Sequence, residues 1–290
     1  MTISSVAELS PRVTRERPVA DVLGWARELF EPEARRWLEG LAPKSRLVAG
    51  YQLGWWDAAG TPTSAGGQAL RPALALLCAR AVGGSAQDAV PAAVGAEFVH
   101  AFSLMHDDAM DRDPMRRHRP AAWTVFGTAA TLAAADELMS LAFEGFLRCS
   151  DNLDTACAAA AALGQAVARL ARGQALDLAF EHATVTIEQC LSMEADKTAS
   201  LLAAATRLGA LYGGADGEAA DRLAAFGEHL GRALVAQAAG RDWARQCADW
   251  HLRSALRQLR KQPVHADDHA ARTASAELAA LARFAVTRRT

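Results

Sequence analysis

Val94–Pro120 reads VGAEFVHAFSLMHDDAMDRDPMRRHRP, and the spacing within it decides the fold. Apolar Val94, Phe98, Phe102 and Met105 recur at intervals of three and four, which predicts a helix ended by Pro114. A second line, His100, Ser103, Asp107 and Asp111, follows i, i+3, i+7, i+11 and falls on one face, a polar stripe on an otherwise apolar helix. Asp108 stands about 100 degrees round from Asp107, near enough to share an ion. Three carboxylates within five residues near a helix C-terminus repel one another and oppose the helix dipole. A cation relieves both. Oxygen-only donors suit a hard divalent ion such as Mg2+, which keeps several waters and bridges carboxylates to substrate phosphates. Beyond Pro114 stand Arg116, Arg117 and Arg119, and guanidinium forks match phosphate oxygens in pairs. Together these read as a Mg–diphosphate site; the plain alternative is a solvated helix end followed by a charged loop.

Working outward, 290 residues of which 51% are hydrophobic can bury one large core or two smaller ones. A net charge of −2 offers no basic field for nucleic acid or an anionic membrane. Five scattered cysteines (Cys78, Cys149, Cys157, Cys190, Cys247), with no CxxC, read as small buried hydrophobes in a reducing compartment. No signal pattern opens the chain and no apolar run reaches bilayer length, so a soluble, cytoplasmic protein without a membrane span is expected.

Met1–Arg17 is polar and aperiodic, an expected flexible tail ahead of a single all-helical domain over 18–290. Helices are predicted over Ala20–Leu38 (kinked or broken near Pro32), Leu47–Trp56, Ala69–Val82 and Val94–Asp113. No proline occurs between Pro120 and Pro263, and Ala and Leu dominate. Further helices are predicted over Thr128–Cys149, Leu153–Phe180, Ile187–Tyr212, Gly217–Ala238, Arg241–Leu259 and Ala270–Thr287. Asp151 to Asp154, Thr186 with Glu188, and Asp216 supply start signals, and Gly213-Gly214 a stop. Gln174, Asp177 and Glu181 form a second polar stripe at i, i+3, i+7, and two such stripes face to face would line a pocket between helices.

The aspartate segment resembles the first DDxxD motif, with its arginine pair, of the trans-isoprenyl diphosphate synthases, the polyprenyl synthetase family. Residues 172–181 (RGQALDLAFE) are similar to the family's GQxxDL motif, Lys197-Thr198 to its KT motif, and 66–72 (GGQALRP) to its GKxxRP motif. The likeness covers Pro18 to Leu234 closely and Arg241 to Thr290 loosely. It implies a single-domain, isoprenoid-synthase-type all-α bundle around a central cavity, Mg2+ as cofactor, and prenyl diphosphates as partners. It also implies a homodimer, or a heteromer with an intact synthase. By this resemblance Asp107, Asp108, Asp111 and Lys197 carry catalysis, and Asp107, Asp108, Asp111 and Asp177 hold metal. Lys197 and Thr198 meet the allylic diphosphate together with Arg116, and Gln174 is a further substrate-binding residue. Arg71, His100, Arg117 and Gln68 serve the homoallylic one. Phe102, with Ser103, would close the tunnel floor and imply a short to medium product, C10 to C20.

The chain departs from the family pattern twice. Gln68 stands where the family has a lysine, replacing a charge-assisted contact of roughly 1.5–3 kcal/mol by a neutral one. After 227–234 (GEHLGRAL), Ala238 and Ala239 stand where a second aspartate motif belongs, and the segment carrying it is missing near 235–241. Asp242 and Asp249 are seven apart and no substitute; Asp267-Asp268 reads as a helix cap. The expected function is a Mg-dependent prenyltransferase condensing an allylic prenyl diphosphate with isopentenyl diphosphate. The alternatives are a non-catalytic prenyl-diphosphate-binding subunit of an intact synthase, and a terpene-synthase-like enzyme using one aspartate motif.

Overall fold

Apolar residues at helical spacing run through almost the whole chain, and helices dominate its structure. The computed structural model describes residues 16–63, 65–149, 152–180, 183–239, 242–262 and 268–287. In order these hold α1 (Val19–Leu38), α2 (Pro43–Gln52), α3 (Leu70–Ala81), α4 (Val90–Met110), a ribbon of β1 (Met115–Arg116) and β2 (Arg119–Pro120), and α5 (Ala122–Phe126). There follow α6 (Thr128–Arg148), α7 (Leu153–Phe180), α8 (Ile187–Tyr212), α9 (Gly217–Ala238), α10 (Asp242–Lys261) and α11 (His269–Thr287). The expected tail and the Asp151 cap lie outside the described residues, apart from Glu16 and Arg17 of the tail.

The bundle is built around α3. Pro72 to Ala79 are buried without interruption, and α1, α4, α8 and α11 all pack on that helix. An all-round apolar helix has no other place to go. At Gly209 of α8 a Cβ would fall 2.0 Å from the Ala75 carbonyl oxygen, so only glycine lets these two backbones meet. The long helices α7, α8, α9 and α10 pack in sequence, each on the next. One apolar core runs from Val22 to Val286, joining the first helix to the last.

α1 passes straight through Pro32 instead of breaking there. Pro32 is on the exposed face, so the carbonyl it frees meets water, while Phe30, Ala34 and Trp37 hold the helix to the core. α2 ends at Gln52, short of the expected Trp56, because Gly54 turns into positive φ (76°) and the Trp56 ring folds back on Gly50. α4 begins at Val90, ahead of the expected Val94, with Pro91 in its first turn, where a missing N–H costs nothing. Thr186 and Gln189 form a reciprocal capping box on α8, and the Asp216 carboxylate caps α9. α7 is capped by Asn152, whose Oδ1 accepts from the Asp154 and Thr155 amides. Asp268 Oδ1 accepts from the Ala271 amide and caps α11; Asp267 lies outside the described residues. Cys78 is buried, but Cys149 and Cys157 are exposed, so the reading of all five as core residues fails for those two.

Candidate functional site

The C-terminal end of α4 separates its three aspartates. Asp107 and Asp111 lie one turn apart, the Asp111 amide donating to the Asp107 carbonyl at 2.8 Å. Burial pushes the Asp107 carboxyl up to about 6; Lys197 opposes that rise and Asp111 adds to it. Asp108 points another way and is only 1% exposed. Its Oδ1 accepts from Arg116 Nε at 2.8 Å and also from Arg116 Nη2, while its buried Oδ2 has no partner.

Two helices bring polar groups to meet this end. From α7, Gln174 is buried and its Nε2 donates to Asp111 Oδ1 at 3.0 Å. Asp177, one turn further, accepts from Lys197 Nζ of α8 at 2.5 Å. Burial works against the Lys197 charge, but the Asp177 hydrogen bond and the fields of Asp107 and Asp111 hold its ammonium above the usual range. The α7–α8 approach is close because Gly173 has no side chain: a Cβ there would sit 2.8 Å from Lys197 Cγ and 2.9 Å from the Lys197 amide nitrogen. Arg169 of α7 locks the register, donating to Asp196 of α8 at 2.9 Å and in a fork to Glu228 of α9 at 2.9 and 3.1 Å. Thr198 lines a separate cavity between α8 and α9, beside Glu194, Leu234, Val235, Ala238 and Ala239. Glu181 lies outside the described residues.

The arginine segment is a two-residue hairpin. Met115 pairs with Pro120 and Arg116 with Arg119, and the turn residues Arg117 and His118 have φ of 52° and 62°. Both are left-handed, as a twisted hairpin needs, without the glycine or asparagine that favours it. Tyr51 secures the ribbon: its hydroxyl donates to the Pro120 carbonyl at 2.7 Å and its ring stacks under Arg119. The turn lays the Arg117 guanidinium over Gly67, where a Cβ would be 2.8 Å from Nη1. Arg27 donates to the Gly67 carbonyl at 2.8 Å, holding the loop, and Gln68 beside it is exposed.

Arg71, Arg117 and His100 share one electrostatic neighbourhood. Burial pulls the Arg71 guanidinium down to about 10, with Glu97 opposing and Arg117 contributing; its Nε is buried without a partner. Burial, then Arg71, Arg117 and Arg116, holds His100 well below its ordinary range, so it is neutral at pH 7. Glu97 is the countercharge, and burial raises it against the pull of Arg71 and Arg117. Sequence reasoning passed over Glu97, though it stands three residues before His100 and extends the same stripe. Glu194 was passed over as well. Ser103 donates to the His100 carbonyl at 2.9 Å, and Phe102 stacks on His106 with ring centroids 4.5 Å apart.

The donor set fits a hard divalent cation: Asp107 and Asp111 of α4 offer carboxylate oxygens, and Gln174 of α7 an amide oxygen, Oε1, that is buried without a partner. Among the described residues no three His, Cys, Asp or Glu side chains converge on one point. Asp107 and Asp111 would therefore hold Mg2+ as a pair, with water and substrate oxygens completing the shell.

Among the described residues no helix is long and apolar enough to cross a membrane. The polyprenyl synthetase family model matches residues 56–237. The chain is 45% identical over 227 residues to (2E,6E)-farnesyl diphosphate synthase of Mycobacterium tuberculosis (strain ATCC 25618 / H37Rv), covering 78% of this chain and 62% of that protein. It is 36% identical over 208 residues to geranylgeranyl diphosphate synthase of the same strain, covering 70% of this chain and 58% of that one. It thus spans less than two thirds of the length of these curated relatives. The crystal structure of polyprenyl synthetase from Streptomyces coelicolor A3(2) superposes with a TM-score of 0.83 at 32% identity, over 93% of this chain and 100% of that one. The chain belongs to the polyprenyl synthetase family.

Proposed function

We propose that this chain is a Mg2+-dependent prenyltransferase that joins an allylic prenyl diphosphate to isopentenyl diphosphate, giving a C10 to C20 prenyl diphosphate. The observation that carries this reading is the meeting of Asp107 and Asp111, Gln174 and Asp177, and Lys197, from three helices, at one end of the bundle. The names of the two mycobacterial relatives agree with it.

In this reading Asp107 and Asp111 hold Mg2+, and Gln174 orients Asp111 by its hydrogen bond. Bound Mg2+ supplies Lewis-acid stabilisation of the negative charge that grows on the departing pyrophosphate. Lys197 donates one ammonium N–H in a hydrogen bond to Asp177 and has two left for phosphate oxygens. Asp108 fixes Arg116 on the flank of the site. Arg71 and Arg117 take the second diphosphate, with the neutral His100 as a hydrogen-bond donor, and Gln68 gives it a neutral contact. The α9 wall at Ala238 and Ala239 adds no carboxylate, and each 1.4 kcal/mol of lost stabilisation costs about tenfold in rate. Turnover slower than in relatives with two aspartate motifs is expected. Pairing with a second copy, or with an intact synthase, and a cytoplasmic location go with the proposal.

Product analysis tests it: purified protein, Mg2+, isopentenyl diphosphate and allylic diphosphates of C5 to C15. An elongated prenyl diphosphate that disappears in Asp107→Ala supports the proposal. The alternative is a binding subunit without turnover. Retained prenyl-diphosphate binding with no product would select it, and a hydrocarbon or alcohol formed without isopentenyl diphosphate would select a cyclase.

A further inference from the structure

A different cavity lies between α10 and α11, lined by none of the residues that meet at the ends of α4, α7 and α8. Its volume is about 330 Å³, at the small end of the range of about 300–1,000 Å³ for small-molecule sites. Leu256 and Leu259 of α10, with Ala276 and Ala279 of α11, give it an apolar floor. On α11 the residues Arg272, Ala276, Ala279 and Arg283 follow at intervals of four, three and four, so one helix face carries an apolar centre between two arginines. Arg260, in the last turn of α10, lines the cavity from the other helix. Most arginines of α7, α8 and α9 are tied to carboxylates, as Arg169 is to Asp196 and Glu228 and Arg207 to Asp221. Among the described residues Arg260, Arg272 and Arg283 have no such partner, and no carboxylate lines the cavity. Asp268, at the start of α11, is committed to the Ala271 amide. The remaining polar lining is also donating. Ser275 Oγ is buried without a partner, and Gln262 Oε1 accepts from Arg222 Nε at 3.4 Å, which leaves the Gln262 amide N–H groups as donors. A pocket of donors over an apolar floor is made for an anion with an apolar body.

We propose that the α10–α11 cavity binds a phosphate ester with a compact apolar body, at a site separate from the Mg2+ site. Arg260 and Arg272 take the phosphate oxygens, Ser275 and Gln262 add neutral donors, and the apolar part lies on Leu256, Leu259, Ala276 and Ala279. A phosphate monoester offers three terminal oxygens and close to two charges, which this many donors can satisfy and a carboxylate cannot. The site stands whether or not the chain turns over prenyl diphosphates.

The test is calorimetry with phenyl phosphate in EDTA, set beside inorganic phosphate. The proteins are wild type, Arg260→Gln, Arg272→Gln, Ala279→Trp and, as a control at the other site, Arg117→Gln. Arg260 and Arg272 are exposed, so glutamine there leaves the core intact, and thermal unfolding verifies the fold of each variant. The wild type is expected to bind phenyl phosphate saturably and inorganic phosphate about tenfold or more weakly, for want of apolar contact. Arg260→Gln and Arg272→Gln should each weaken the ester about tenfold or more, and Arg117→Gln should leave it unchanged. Ala279→Trp should weaken the ester and spare inorganic phosphate. Cosedimentation with phosphatidic acid vesicles, lost in Arg272→Gln, would support the same site with a lipid headgroup as the source of the ester. No saturable binding, binding unchanged by Arg260→Gln and Arg272→Gln, or binding lost in Arg117→Gln alone overturns the assignment and leaves the synthase reading standing.

Discussion

Replacing Asp107 and Asp108 with asparagine, one at a time, should change the stability of the metal-free protein in opposite directions. Asp107 is a carboxylate held against its interest: burial and Asp111 push it up to about 6, and Lys197 only partly compensates. Its ordinary value is near 3.9. A group raised on folding leaves the fold unpenalised below the unfolded value and costs stability as pH rises through the folded one. The penalty therefore grows from about pH 4 and is complete above about pH 6. Two units would correspond to about 2.7 kcal/mol; after discounting for solvent screening, about 1–2 kcal/mol remains. Asp107→Asn removes that charge and should stabilise the metal-free protein by this amount at pH 8, with little effect at pH 4. Burial raises the Asp108 carboxyl as well, but Asp108 is 1% exposed and gripped twice by Arg116, which opposes that rise, so here the hydrogen bonds decide. Asp108→Asn takes the charge from a hydrogen-bonded pair and leaves Arg116 half-buried beside a neutral amide, a loss of about 2–3 kcal/mol. Urea unfolding in EDTA at pH 8 measures both. Destabilisation by Asp107→Asn, or a neutral Asp108→Asn, would refute the division of the motif into a cation-facing pair and an arginine-holding third member.

Other outcomes follow from the same geometry. Glu277, 1% exposed, accepts from Arg17 Nε and Nη2 at 2.7 Å each, with Arg80 at 3.6 Å, so Glu277→Gln should cost about 3 kcal/mol. That corresponds to a drop of roughly 6 °C or more in Tm, which differential scanning calorimetry would read. The His229 and His251 Nδ1 atoms are 3.2 Å apart, and burial, then His229 and Arg232, pulls His251 down to about 4, with Glu228 opposing. A base lowered on folding costs stability as pH falls from its unfolded value toward its folded one. Unfolding free energy should therefore decline between about pH 6.5 and 4 by about 1–2 kcal/mol more in the wild type than in His251→Gln. Gly173→Ala should force Lys197 out of line and weaken Mg-dependent prenyl diphosphate binding about tenfold or more, read by calorimetry. Gln68→Lys should restore a charged contact and tighten isopentenyl diphosphate binding about tenfold.

The long helices were legible because their physics is local. Ala-rich periodicity with caps at Thr186 and Asp216 and the Gly213-Gly214 stop placed α7, α8 and α9 with the bounds observed. The ribbon at 115–120 was not legible, because Arg117 and His118 occupy left-handed positions that sequence reserves for Gly or Asn. Tertiary contacts through Tyr51 hold that turn, and no local signal announces them. Continuity through Pro32 was hidden for a related reason, since it depends on which side of α1 faces water. In the aspartate motif, spacing put Asp107 and Asp111 on one face, but a 100-degree rotation cannot say what waits opposite Asp108. Only the hairpin brings Arg116 there. Glu97 was legible and overlooked: it continues the polar stripe by one more step. The apolar α8–α9 trough joins the start of α8 to the end of α9, consecutive helices whose lining residues Thr198 and Leu234 are thirty-six positions apart, and that pairing is a property of the fold.

The most direct measurement is a calorimetric titration of geranyl diphosphate into the wild type and into Asp111→Ala, each with Mg2+ and with EDTA. If α4, α7 and α8 form one Mg–diphosphate site, the wild type binds saturably with Mg2+, and removing either the metal or the Asp111 carboxylate abolishes binding. Equal binding in EDTA, or undiminished binding by Asp111→Ala, would contradict that account.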